Sequence, residues 1–143
     1  LVVRVGDIEL VPLNDGVCKM SQEFYVGLDF AVHEELLADD GRVHIPIGCF
    51  LLRGGAKTVL VDAGLGDVDL GWAQGGDLPR ALRAAGVSPE AVDVVVCSHL
   101  HIDHIGWLAV DDVPYFPNAV VRYGAADWQR FVADADAADR SRR

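Results

Sequence analysis

Basic residues are scarce in this sequence: 12 lysines and arginines stand against 22 aspartates and glutamates, giving a formal net charge of −10 and an isoelectric point near 4.7. That balance makes phosphate backbones and anionic lipid surfaces poor partners, so neither nucleic acid nor a membrane is expected, and a solubilising acidic surface is its ordinary meaning. Cysteine is scarce as well. Cys18, Cys49 and Cys97 form an odd set without CxxC spacing, which argues against a disulfide framework and suits a reduced, cytoplasmic protein. Each sits among apolar neighbours and reads as a small core residue. Long uncharged apolar runs are missing too: Arg4, Asp7 and Glu9 interrupt the first ten residues, leaving neither a signal core nor a membrane span there. The sequence opens on Leu1 rather than methionine, which suggests that residues precede it. No repeat or low-complexity linker divides the chain, so residues 1–143 read as one unit with enough apolar content for a core.

What is present is a series of strand, turn and helix signals. Val2 to Val5 and Ile8 to Leu13 are rich in β-branched residues around Gly6-Asp7 and predict an opening hairpin, after which Asn14-Asp15-Gly16 predicts a turn. Between Phe24 and Asp40, the spacing of Val32, Leu36 and Leu37 predicts a short helix ending at Gly41. Ile47 to Arg53 and Thr58 to Val61, joined by Gly54 to Lys57, predict a second hairpin that ends in Asp62-Ala63-Gly64. Leu65 to Gly76 reads as a surface loop. Leu78, Leu82 and Ala85 share a helical face, with Pro79 suited to the first turn and Gly86 to the end, and Ser88-Pro89-Glu90 predicts one more helical turn. Val92 to Cys97 is an almost continuous valine run, as expected of a strand covered on both faces. Beyond it, Pro114 to Pro117 reads as a loop, Ala119 to Tyr123 as a strand and Ala125 to Ala138 as a helix with Trp128, Phe131 and Val132 on one side. Hairpins followed by alternating helix and strand give an α/β layout, a mixed sheet covered by helices.

Directly after the valine strand comes Ser98-His99-Leu100-His101-Ile102-Asp103-His104. Strand ends of this kind commonly carry active sites. In extended backbone His99 and His101 point the same way while Leu100 and Ile102 face the core, and Asp103 and His104 follow where the chain turns into a helix. Three imidazoles and a carboxylate within six positions suit zinc or a similar divalent ion, which gives crowded polar groups a common partner. His33 and His44 lie elsewhere and read as surface or loop residues, and Trp107 reads as a packing residue.

The pattern HxHxDH from His99 to His104, preceded by Leu60-Val61-Asp62-Ala63-Gly64 and followed by Gly106, resembles the metallo-beta-lactamase superfamily. Phe116-Pro117-Asn118-Ala119 is similar to its lactonase-like branch, which includes N-acyl-homoserine lactone hydrolases. The resemblance implies a metallo-beta-lactamase-like αββα sandwich, of which this chain is the N-terminal part with the C-terminal half absent. It implies His99 and His101 as ligands of a first metal, and Asp103 and His104 as ligands of a second. Zinc is the implied cofactor, two ions in a complete member, with iron or manganese as alternatives. Asp62 is implied to lie beside the site, fixing ligands and backbone rather than binding metal; read locally, it is equally an aspartate that starts the Asp-Ala-Gly turn.

The reaction implied is hydrolysis of a lactone, ester, thioester or lactam in a small-molecule substrate by metal-activated hydroxide, with Asp103 as the catalytic candidate that orients the nucleophile and passes a proton to the leaving group. Complete members supply a histidine, a bridging aspartate and a last histidine further downstream. No histidine follows His104 here, and Asp111, Asp112, Asp127, Asp134, Asp136 and Asp139 have no recognisable family context. The chain is therefore expected to lack part of its site, and to self-associate as a homo-oligomer or to require the missing half. A metal-binding half-domain without turnover and an iron-dependent oxygenase of the same superfamily are the competing readings.

Overall fold

The computed structural model describes residues 2–134. β1 (Val3–Val5) and β2 (Ile8–Met20) form the opening hairpin, with Val3 opposite Leu10 and Val5 opposite Ile8. Contrary to the turn predicted at Asn14-Asp15-Gly16, β2 continues through it. Its pairing with β3 (Val43–Gly54) shifts register between Asn14 and Gly16, so the extra residue forms a bulge and the buried Asp15 carboxylate turns inward. Only glycine fits at position 16, where a Cβ would collide with the carbonyl of Gln74.

The second hairpin joins β3 to β4 (Lys57–Val61) through Gly55-Ala56, with Gly54 opposite Lys57. After the loop, which contributes β5 (Ala73–Gln74) as a short partner of β2, α1 (Leu78–Ala84) crosses over the sheet. Pro79 sits in its first turn, and Gly86 beyond its end takes the left-handed φ of 72° that favours glycine. A single helical turn at Pro89–Ala91 leads into β6 (Val94–Val96), parallel to β4, and β9 (Val120–Arg122) adds in parallel on its other side. The sheet order is β1-β2-β3-β4-β6-β9, a mixed sheet of the expected class. Between β6 and β9 lie α2 (Ile102–Ile105) and a small hairpin of β7 (Ala109–Val110) and β8 (Val113–Pro114). α3 (Ala125–Trp128) continues as a π-helical turn over Gln129–Ala133. The helix predicted from Ala125 thus starts where expected, and its last predicted residues, 135–138, lie outside the described residues.

A main core and a smaller cluster of Cys18, Ile47, Leu65 and Ala73 hold these elements together. Leu51, Leu60 and Val95 from the sheet and Val92 from the turn before β6 meet Leu78 and Leu82 from α1, an i,i+4 pair on one helical face. Full burial of each such side chain contributes about 1.5–3 kcal/mol. The valine strand departs from expectation in its cover: Val95 is fully buried, but Val94 and Val96 on the opposite face are only partly so. The helix predicted between Phe24 and Asp40 is also replaced, by three 3-10 turns at Gln22–Phe24, Phe30–Val32 and Glu34–Leu36. Val32 and Leu36 point to solvent, Val32 being 68% exposed, so no apolar face packs to sustain a longer helix.

Candidate metal centre

β4 and β6 run in parallel as neighbours, so the residues that follow each strand emerge side by side at one edge of the sheet. Asp62, directly after β4, adopts a left-handed φ of 62° and donates its backbone N–H to the Val96 carbonyl at 2.9 Å. Its side chain is turned into the segment after β6. The carboxylate accepts from the Ser98 N–H at 2.7 Å and the Ser98 hydroxyl at 2.8 Å, and lies 2.9 Å from Nδ1 of His104. At 6% exposure, Asp62 both shapes the turn and reaches across to the histidine segment.

The histidine segment brings its four candidate ligands together in two pairs. Nε2 of His99 lies 3.0 Å from Nδ1 of His101, and Nε2 of His104 lies 3.3 Å from Oδ2 of Asp103. The His99 and His104 rings, with centroids 3.9 Å apart, join the pairs into one cluster. Phe131, in the turn after α3, meets the His101 ring edge-on at 5.0 Å. Leu100 is buried as expected, but Ile102 is 52% exposed instead of facing the core. β6 stops at Val96 and α2 begins at Ile102, so strand alternation has lapsed by that point.

The donor chemistry fits a divalent ion. Two nitrogens on a tetrahedral zinc, each about 2.0–2.1 Å from the metal, are separated by roughly 3.3 Å, close to the spacing within each pair. His104 is already oriented: with Nδ1 directed at Asp62, its Nε2 faces Asp103. Even so, no group of three or more His, Cys, Asp or Glu side chains among the described residues forms a metal-holding arrangement by itself. His33 and His44 stand apart from the cluster, His33 against Glu35 and His44 against Asp40, whose carboxyl the imidazole holds below its usual range. Asp111 and Asp112 form the left-handed turn between β7 and β8, Asp134 accepts from Gln129, and Asp136 and Asp139 lie outside the described residues.

Thiols offer no further ligands. All three cysteines are free and buried; burial, then the Asp15 charge, pushes Cys49 up to about 12, and burial, then Asp62, pushes Cys97 up to about 11. Burial followed by the Asp103 charge raises Cys18 as well. A thiol must lose its proton to bind metal or attack, so these act as core residues, as expected.

Beside the cluster opens a largely apolar cleft of about 490 Å³, walled by Trp72, Leu100, Ile102, Ile105 and Phe131, with His101 and Asp103 on its rim. Trp107 is buried, as expected, and its indole N–H donates to Asp15 at 2.8 Å. Asp15 is the residue that sequence reasoning missed. Its local context, Asn-Asp-Gly, reads as a turn, and its partners lie far along the chain.

Comparison with known proteins agrees with this geometry. A sequence model of the metallo-beta-lactamase superfamily matches residues 45–110, a span that includes both the Asp62 turn and the HxHxDH segment. The mouse metallo-beta-lactamase domain-containing protein 1 is 46% identical over 72 residues, covering 48% of this chain and 25% of that protein. The N-acyl homoserine lactonase AiiB of Agrobacterium fabrum is 28% identical over 115 residues, covering 68% of this chain and 42% of its own length. The chain thus spans from a quarter to about two fifths of these curated relatives. Among solved structures, the hydrolase AbOPH of the beta lactamase superfamily superposes with a TM-score of 0.82 at 26% identity, over 96% of this chain and 48% of that one. The dizinc quorum-quenching lactonase AidC superposes at 0.71 with 27% identity, over 85% and 43%. Sequence motif, sheet order and superposition converge on about half of one fold, that of the metallo-beta-lactamase superfamily, whose sequence model matches this chain over residues 45–110.

Proposed function

We propose that this chain is the ligand-bearing N-terminal part of a zinc-dependent hydrolase acting on a lactone or a related cyclic or acyl ester. The observation that carries the reading is the pairing of donors, His99 with His101 and Asp103 with His104, at spacings suited to two adjacent ions. Bound divalent ions would supply an activated water and polarise the substrate carbonyl. The chain's own residues do the rest. His99 and His101 would hold one ion, and Asp103 and His104 the other. Asp62 fixes the His104 ring by accepting from Nδ1, and so keeps Nε2 free as a donor atom. Asp103, on the cleft rim, is placed to accept a proton and hand it to the leaving oxygen. The apolar walls of the cleft, Trp72, Leu100, Ile105 and Phe131, would exclude water and receive the hydrocarbon part of a substrate. Lactones are favoured among carbonyl substrates because two of the similar proteins, AiiB and AidC, carry that activity in their names. Three free thiols agree with a cytoplasmic setting, and no helix among the described residues is long and apolar enough to cross a membrane.

The test is metal analysis of the purified protein together with a lactone-opening assay, on this chain and on the product of its intact gene. Zinc bound through His99 and His101, with turnover by the intact product and little by this chain, is the expected result. Bound iron with oxygen uptake would move the reading to the oxygenase class. Zinc binding without turnover in the intact product would leave a binding domain and overturn the hydrolase reading.

A further inference from the structure

We propose that Asp15, remote from the ligand set in sequence, is a positioning residue for it: its buried carboxylate ties the turn that carries Asp62 to the turn that follows His104. The proposal rests on the reading of the histidine segment as a metal centre. Oδ2 of Asp15 accepts from the backbone N–H of Leu65 at 2.7 Å and of Gly66 at 3.2 Å. Oδ1 accepts from the N–H of Gly76 at 3.2 Å, the N–H of Leu78 at 2.8 Å and the Trp107 indole at 2.8 Å. Five donors from three separate stretches of chain therefore end on one side chain, which has no solvent exposure at all. A carboxylate is the side chain that meets this demand, since it offers acceptor sites on both oxygens and no donor.

The two turns are also joined directly. Ala63 N–H donates to the His104 carbonyl at 2.8 Å, Gly106 N–H to the Gly64 carbonyl at 2.7 Å and Trp107 N–H to the Ala63 carbonyl at 2.8 Å. Glycine is required where they touch: a Cβ at Gly64 would strike the Asp15 carboxylate, and one at Gly106 would strike the backbone of Leu65 and Gly66. Asp15 grips this assembly from both ends, through Leu65 and Gly66 on one turn and Trp107 on the other. The position of Asp62, and with it the orientation of His104, then depends on a residue in the bulge of β2. A side chain that only secured the fold would leave the His104 ring unaffected once the chain is folded.

Asp15→Asn separates these roles. Three donors meet at Oδ1 and two at Oδ2, so the single amide oxygen keeps the place of Oδ1 and the NH₂ group is set against the N–H of Leu65 and Gly66. The Asp62 turn is loosened while the start of α1 and Trp107 stay held. Long-range ¹H–¹⁵N NMR of the histidine rings, with no metal added and the imidazoles neutral, is expected to show His104 in the Nδ1–H form in the parent chain and in mixed tautomers in the variant. Zinc affinity, read by competition with a chromophoric chelator, should fall about tenfold or more. A folded variant with the parent's His104 tautomer and zinc affinity would overturn the proposal. Absence of zinc binding in the parent, with the tautomer change still present in the variant, would defeat the metal reading and leave the positioning role standing. If the variant does not fold, amide exchange in the parent decides. Leu65 and Gly66 should exchange in step with Ser98, which Asp62 holds, and with the Trp107 indole; rapid exchange of Leu65 and Gly66 beside a protected Ser98 would overturn the proposal.

Discussion

Nδ1 of His104 lies 2.9 Å from the Asp62 carboxylate, and the same ring directs Nε2 toward Asp103 at 3.3 Å. One residue on the turn after β4 therefore sets the tautomer of another on the helix after β6. The Asp62→Asn variant should keep the turn, because asparagine tolerates the left-handed φ that Asp62 adopts, and its remaining oxygen can still serve the Ser98 N–H, but it loses Oδ2, the acceptor shared by the Ser98 hydroxyl and His104. Divalent-metal affinity is expected to drop about 10–100-fold in a chain that remains folded. Chelator competition on the two proteins measures it. Equal affinities would reduce Asp62 to a turn former.

His101 and His33 make a matched pair for testing which histidines matter. His101 faces His99 at 3.0 Å, whereas His33 faces Glu35 at 3.4 Å, away from the cluster. We expect His101→Ala to abolish metal retention after dialysis and His33→Ala to leave it unchanged. Elemental analysis of both folded variants is the measurement. Equal loss from the two would mean that the binding residues lie elsewhere.

Much of this was legible in the sequence because the signals are local. β-branched runs around Gly6 and Gly55, the proline and glycine that bracket α1, and the HxHxDH segment after a valine strand each declare themselves within a dozen residues. What was not legible depends on distant partners. Asp15 looks like the centre of a turn because nothing near it reveals Leu65, Leu78 or Trp107 as donors, 50 to 92 positions away. The spacing of Val32 and Leu36 mimics a helix, yet no core surface lies opposite them. Ile102 was assigned to the core by extending strand alternation past Val96, where the strand had already ended. Candidate site residues could be chosen by motif, but their pairing across 3.0 and 3.3 Å required the fold.

The raised thiols give a pH prediction whose sign is fixed. Cys49 and Cys97 are pushed from the ordinary 9.0 to about 12 and about 11, so between those values and 9.0 the unfolded chain has lost protons that the folded chain keeps. Unfolding is then favoured as pH rises: the stabilisation is whole below pH 9 and is lost on passing through pH 11 and 12. Urea denaturation at pH 8, 9 and 10 should show a falling midpoint, and less of a fall in Cys49→Ala. Iodoacetamide at pH 8 should label none of the three cysteines until the chain unfolds. Rapid labelling of the native protein would contradict the burial described.

The last prediction concerns the sheet edge. β9 pairs with β6 alone among the described residues, and Val120, Val121, Tyr123 and Trp128 all present exposed apolar surface along it. An apolar cleft of about 200 Å³ lies beside this edge, lined by Val121, Tyr123, Trp128, Phe131 and Val132. An open strand edge next to such a patch is a template for another chain, and on the opposite face of the sheet Val94, Val96 and the exposed Val120 are left partly uncovered as well. We therefore expect the chain alone to self-associate as concentration rises, and Val121→Lys, which puts a charge on that edge, to shift it toward monomer. Light scattering across a hundredfold range of concentration would measure both. A wild-type chain that stays monomeric throughout would show that the edge is protected and would overturn this prediction.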